Sequence, residues 1–211
     1  MSGSATGRHP IAAVCDGVPA TDSPGQRPLR ADARRNRDAL LTAAAAVFAT
    51  GGVDASLEEV ARRAHVGIGT LYRHFPTRDA LIADLYRREV ELLCGGIDEL
   101  LLESAPDEAL RVWMHRFIGH VARKKGLATA LKSLLGMDSE LFDRSRRCIR
   151  TAVSTLVEAG AAAGVIRSGV DPDDLLRAMG GFCAVSDEAG WQDRANRLVD
   201  LLVDGLRYQR L

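Results

Sequence analysis

Apolar residues recur along most of this chain at the three- and four-residue spacing of a buried helical stripe. Nowhere do they alternate over a useful length as a strand would. Leu40, Leu41, Ala44, Val47 and Phe48 form the first stripe, which predicts a helix over Ala33–Thr50 ended by Gly51-Gly52. Leu57, Val60, Ala61 and Ala64 form a second, short one, opened by Ser56 and Glu59 in capping-box spacing. His65-Val66-Gly67 breaks it, with Gly67 as the residue expected at positive φ. A further short helix follows over Ile68–His74. Leu71 and Phe75 point inward there, leaving Gly69, Thr70, Tyr72, Arg73 and His74 outside. Two short helices joined by so tight a turn present the second to the major groove of DNA.

Beyond Pro76-Thr77, Leu81, Ile82, Leu85, Tyr86, Val90 and Leu93 continue as a longer stripe up to Gly95-Gly96, and Ile97–Leu102 follows. That glycine pair is either a weak point for switching or a plain break. Pro106 opens a helix expected to reach Lys125, with a separate one over Leu127–Leu135. Asp138 or Ser139 caps another to about Ala163. Asp171-Pro172-Asp173-Asp174 is a strong start signal for a helix to about Ser186, and the last runs from about Gln192 to Tyr208. The fold class is all-α. Residues 1–30, rich in Gly, Pro, Ser and Ala, read as a disordered tail, whose Arg27 and Arg30 are either untethered or a flexible arm on DNA.

The stretch from Arg34 to Leu81 resembles the DNA-binding domain of the TetR family of bacterial transcriptional regulators. The matching positions include Val47-Phe48, Gly51-Gly52, Ser56-Leu57, Val60-Ala61, Val66-Gly67, Gly69-Thr70-Leu71-Tyr72, His74-Phe75, Arg78 and Ala80-Leu81. The resemblance covers about a quarter of the chain in one register, where chance agreement is implausible. It implies a helix-turn-helix domain over 31–78 and a helical effector-binding and dimerisation domain over 79–211. It also implies that Ile68, Gly69 and Thr70 face the groove floor, and that Tyr72, His74 and Arg78 touch phosphates. Arg73 then either pairs with guanine or clamps a phosphate. The residues themselves add Ser56, whose helix N-terminus offers N–H groups to a phosphate, and Arg34 or Arg35 on the flank.

A single reading helix covers few base pairs, so specificity needs a twofold copy and an inverted-repeat operator. In this family the last two helices usually pair with the partner's, which here implicates Leu175, Met179, Phe182, Leu198, Leu202 and Leu206. Trp113, Phe117, His120, Leu134, Met137 and Phe142 either line a pocket for an unidentified small-molecule effector or are simply core. The basic runs Arg123-Lys124-Lys125 and Arg144 to Arg150 are solvated faces, or else a site for an anionic effector or a second nucleic-acid patch.

Charge and composition change this picture little. The 211 residues carry 28 basic and 28 acidic side chains. Residues 27–88 nonetheless hold eleven arginines against seven acids, a mildly basic end suited to phosphates. Cys15, Cys94, Cys148 and Cys183 are scattered, arguing against a zinc site or a disulfide framework, and His115 and His120 do not share a helix face as zinc ligands would. No cofactor or metal is expected. No apolar run approaches membrane length and no signal peptide stands out, so the protein is expected in the cytoplasm. An enzyme finds no nucleophile elbow, phosphate loop or paired carboxylates. A scaffold that has given up DNA is opposed by the intact Thr70, Tyr72, His74 and Arg78. Activator and repressor are indistinguishable here, and the expected function is a ligand-released repressor.

Overall fold

The computed structural model describes residues 27–52, 54–135, 140–184 and 189–207, with side chains for all of these except 27–30 and 124–135. Helices run in the order α1 (Arg27–Gly51), α2 (Leu57–Arg63), α3 (Ile68–His74), α4 (Arg78–Cys94), α5 (Ile97–Glu103), α6 (Pro106–Leu135), α7 (Glu140–Ala162), α8 (Pro172–Ala184) and α9 (Trp191–Leu206). Among the described residues there is no strand, only an isolated antiparallel bridge between Ile166 and Arg207. The chain divides into two compact units, Met1–Arg35 and Asn36–Leu211.

The first helix starts at Arg27 rather than Ala33, so the end of the expected tail is helical; residues 1–26, Cys15 among them, lie outside the described residues. The long helix from Pro106 is also unbroken. A single Gly126 costs a helix interior only about 1 kcal/mol relative to Ala, less than neighbouring helices return by packing.

Within the second unit the predicted stripes form a continuous buried cluster: Leu40, Phe48, Val60, Leu71, Phe75, Leu81, Leu110, Trp113, Val153 and Val199 are all essentially inaccessible. Central α6 packs against α4, α7 and α9, and α8 lies against both α7 and α9. Polar ties sit at these seams. Trp113 Nε1 donates to the Leu93 carbonyl at 3.0 Å, joining α6 to the end of α4. Arg111 reaches Asp200 at 2.9 Å and Asp204 at 2.7 Å, while His115 contacts Asn196 and Asp200 at 3.0 and 2.9 Å. After α7 the chain folds back on itself, and the Val165 and Ile166 N–H groups both donate to the Gly160 carbonyl at 3.0 and 3.1 Å.

Candidate nucleic-acid interface

The α2–α3 turn is built by hydrogen bonds counted from the end of α2. The His65 N–H donates to the Arg62 carbonyl at 3.1 Å and the Val66 N–H to the Ala61 carbonyl at 3.0 Å. Those paired bonds are a Schellman motif, which places the residue after the cap in left-handed conformation. That residue is His65, at φ 56. Gly67, expected to supply the positive φ, is instead extended at φ −70 and caps α3 without a side chain.

Only half of the capping box forms. Ser56 Oγ accepts from the Glu58 and Glu59 N–H groups at 3.1 and 3.4 Å. The Glu59 carboxylate turns away to Arg62, at 2.6 and 2.8 Å, and Glu58 instead accepts the Ser56 hydroxyl at 2.5 Å. These bonds hold both carboxyls below their ordinary range, Glu58 chiefly through Ser56 and Glu59 chiefly through Arg62. Ser56 is therefore committed to its own helix. Two carboxylates stand at the end where a phosphate was expected.

On α3, Leu71 and Phe75 are fully buried and fix its inner side. The outer side carries exposed Ile68 (37 % accessible), Gly69, Tyr72 (47 %) and Arg73, with Thr70 and His74 half-buried beside them. Large apolar side chains left in water on a helix this well anchored invite a surface to cover them. Arg73 makes no ion pair among the described residues, which leaves its five donors for a ligand. His74 stacks obliquely on Phe75, ring centroids 6.3 Å apart.

Phe75 in turn lies under the Arg37 guanidinium, 5.6 Å from the ring centroid. Arg37 and Arg87 both pair with Asp84, and Arg88 donates to the Asp38 carbonyl at 3.0 Å and to Thr42 Oγ1 at 3.1 Å, which locks α1 to α4. Arg78, at the start of α4, is half-buried and donates to the Ala55 carbonyl at 2.7 Å. Its guanidinium thus braces the loop before α2, a role the resemblance did not supply. Arg34 is exposed in the first unit.

Of the expected effector residues, Trp113 and His120 are buried and Phe117 and Phe142 half-buried, while Met137 and the Leu134 side chain lie outside the described residues. Trp113, Phe117, His120, Tyr86 and Phe142 form a continuous ring-to-ring row, with centroids 5.4 to 6.4 Å apart. Phe117 also borders open space: a groove of about 500 Å³ between α6, α7 and α8, floored by Phe117, Ile149 and Leu176 and rimmed by Arg146, Arg147, Arg150 and Arg177. Arg150 pairs with Asp173 at 2.9 Å and Arg177 with Asp174 at 2.8 Å, whereas Arg147 makes no ion pair among the described residues. The basic run that read as ambiguous in sequence is one wall of this groove.

The expected dimer residues separate. Leu175, Met179 and Leu206 are buried within the single chain, because the apolar stripes of α8 and α9 serve their own core. Phe182 and Leu202 are half-buried, and Leu198 is exposed. The outward face instead presents Gly180, Gly181 and Ala184 on α8 and Leu198 and Leu201 on α9, with Leu201 68 % accessible. None of the helices among the described residues is long and apolar enough to cross a membrane, and no group of ligating side chains there could hold a metal ion.

Residues 40–85 match the family model for bacterial regulatory proteins of the tetR family, and residues 105–208 match that of the C-terminal domain of SbtR-like transcriptional regulators. A TetR transcriptional regulator of Streptomyces coelicolor is 45% identical, with a TM-score of 0.75 over 82% of this chain and 99% of that one. A TetR regulatory protein of Mycobacterium vanbaalenii is 34% identical, with a TM-score of 0.70 over 86% of this chain and all of that one (100%). The HTH-type transcriptional repressor KstR of Mycolicibacterium smegmatis is 37% identical over 70 residues, and the match spans 33% of this chain and 34% of that repressor.

Proposed function

The chain belongs to the TetR family of bacterial transcriptional regulators, and from that premise we propose that it is a repressor which binds a palindromic operator as a homodimer and is released by a small-molecule effector. Residues 31–78 are the DNA-binding part and 79–211 the effector-binding and dimerisation part. The observation that carries the reading is the outer side of α3: Ile68, Gly69, Tyr72 and Arg73 exposed on a helix held by buried Leu71 and Phe75. Gly69 allows close backbone approach, Thr70 offers a hydroxyl or a methyl to a base edge, and Tyr72 and His74 offer donors to phosphates. Arg78 acts on DNA through the brace it gives to Ala55 as much as through its charge.

Two copies pair through the small-residue face of α8 and the Leu198–Leu201 edge of α9, since glycine and alanine let helices approach closely and exposed leucines fill the contact. The effector is an amphipathic anion seated on Phe117, Ile149 and Leu176, with its charge toward Arg147. Its binding and that of DNA are reciprocally coupled. Acting on the chromosome places the protein in the cytoplasm.

The test is selection of DNA from a random-sequence pool by the purified protein at near-physiological salt, with a Thr70→Ala, Tyr72→Ala double variant in parallel. Enrichment of an inverted repeat by the wild type alone is expected. An enriched site without twofold symmetry overturns the dimer, and no enrichment by a folded dimer overturns the DNA reading.

A further inference from the structure

We propose that Asp173 is a built-in competitor in the groove between α6, α7 and α8. Its carboxylate sits on Arg150, and the head group of an entering amphipathic anion displaces it to bind Arg147 and Arg150 together. The inference rests on the effector reading above and adds to it a second anchor and the contact that guards that anchor.

The lining sets the charge of the ligand. Four arginines, Arg146, Arg147, Arg150 and Arg177, stand against one acid, Asp173, over the apolar floor of Phe117, Ile149 and Leu176. A cationic rim over an apolar floor fits a ligand with an apolar body and an anionic head, and about 500 Å³ lies within the usual size range of small-molecule sites. Arg146 is held by Asp143 at 2.6 Å and Arg177 by Asp174 at 2.8 Å, each within its own helix. Arg147 makes no ion pair among the described residues. Arg150 instead reaches from α7 to α8, where its Nε donates to Asp173 Oδ1 at 2.9 Å.

That pair is placed to be exchanged. The Arg150 side chain is 56 % exposed and that of Asp173 39 %, and ion pairs so wetted contribute little to stability. Asp173 engages the guanidinium through Nε, whereas a sulfate, phosphate or carboxylate head can offer two oxygens in bidentate geometry. Arg147 and Arg150 lie three residues apart on α7 and are neighbours on its surface, so one head group reaches both. Displacement does not unwind α8: the Asp173 N–H donates to the Asp171 side chain at 2.8 Å, and only the Asp173 side chain has to turn away. Its charge then remains close to the head group and opposes it. Asp173 thus sets a threshold that an anion must exceed and that a neutral amphiphile does not meet.

The test titrates the full chain in a calorimeter with decyl sulfate below its micelle concentration, and with 1-decanol as the neutral counterpart. Wild type is expected to bind decyl sulfate at one site per chain. Asp173→Asn is expected to bind it about fivefold more tightly, the upper end of what an exposed ion pair contributes. In an Arg150→Gln background the same substitution should change affinity by less than about twofold, because the competition is for that guanidinium. 1-Decanol should bind wild type and Asp173→Asn equally. Asp171 caps α8, so Asp173→Asn leaves the helix start in place, which circular dichroism verifies. Equal or weaker binding of decyl sulfate by folded Asp173→Asn overturns the inference. So does an undiminished gain in the Arg150→Gln background, or the same gain for 1-decanol. Decyl sulfate binding left unchanged by Arg147→Gln and by Leu176→Glu, or no binding by any of these proteins, overturns the effector reading itself and the inference with it.

Discussion

Replacing Gly160 with alanine tests how the end of α7 is held. A Cβ at Gly160 would stand 2.3 Å from Ile166 Cδ1, 2.7 Å from Cγ1 and 3.1 Å from Cβ. Retreat is hard for Ile166, because its N–H is bonded to the Gly160 carbonyl and it pairs with Arg207. Inserting a methyl into such packing costs about 1–3 kcal/mol. Alanine regains roughly 0.5–1 kcal/mol of helix preference over glycine. The net is a loss of about 1–2 kcal/mol, and a domain of this size loses roughly 2–4 °C of melting temperature per kcal/mol. Gly160→Ala should therefore melt several degrees below wild type when followed by circular dichroism. The decisive comparison is Ile166→Ala, which removes the two nearest atoms. In that background Gly160→Ala should be neutral or stabilising, a coupling of about 1–3 kcal/mol between the sites. Equal loss in both backgrounds, or a raised melting temperature in the wild type, would refute the reasoning.

The remaining expectations are independent of this one. His65→Gly removes the left-handed strain on a side chain at φ 56 and should raise the melting temperature by the equivalent of about 1 kcal/mol; a lower melting temperature would contradict the turn described. Tyr72→Phe should weaken operator binding about fivefold per half-site, the loss of one hydrogen bond of about 1 kcal/mol, equally for every sequence in a binding assay. Leu201→Glu, at a side chain 68 % accessible, should leave the melting temperature nearly unchanged but shift sedimentation from dimer to monomer. Iodoacetamide modification of Cys148 should rise with pH through about 7, since deprotonation makes the nucleophile.

Much of this molecule was legible in its sequence because helical stripes and caps are local. Leu71 and Phe75 faced inward and Gly69, Tyr72 and Arg73 outward, as period alone requires, while Thr70 and His74, expected outside with them, are half-buried. What escaped was decided by partners distant in sequence or by competition among neighbours. His65 took the positive φ because the Schellman bonds count from α2, not from the nearest glycine. Glu59 left Ser56 because Arg62 lies one turn on and offers two N–H donors. A stripe reports which residues are apolar but not how many surfaces they serve, and Leu175, Met179 and Leu206 are already buried within their own chain. The groove beside Phe117 leaves no trace in spacing.

The seam between α6 and α9 bears on the order in which the chain acquires structure as it leaves the ribosome. Arg111 finds Asp200 and Asp204 only 89 and 93 residues later, and Arg207 returns 100 residues to Asp107 at 2.8 Å. The reading end closes through far shorter separations, such as Arg78 to Ala55, 23 residues back. Long loops are slow to close, and domains emerge from synthesis N-terminal part first. The recognition helix is therefore assembled while α6 still lacks α9, and for that interval the side of α6 that carries Arg111 and His115 is without its partner helix. Slowed translation between α7 and α9 would lengthen the exposure, so that yield in the cell depends on how fast the last helix arrives.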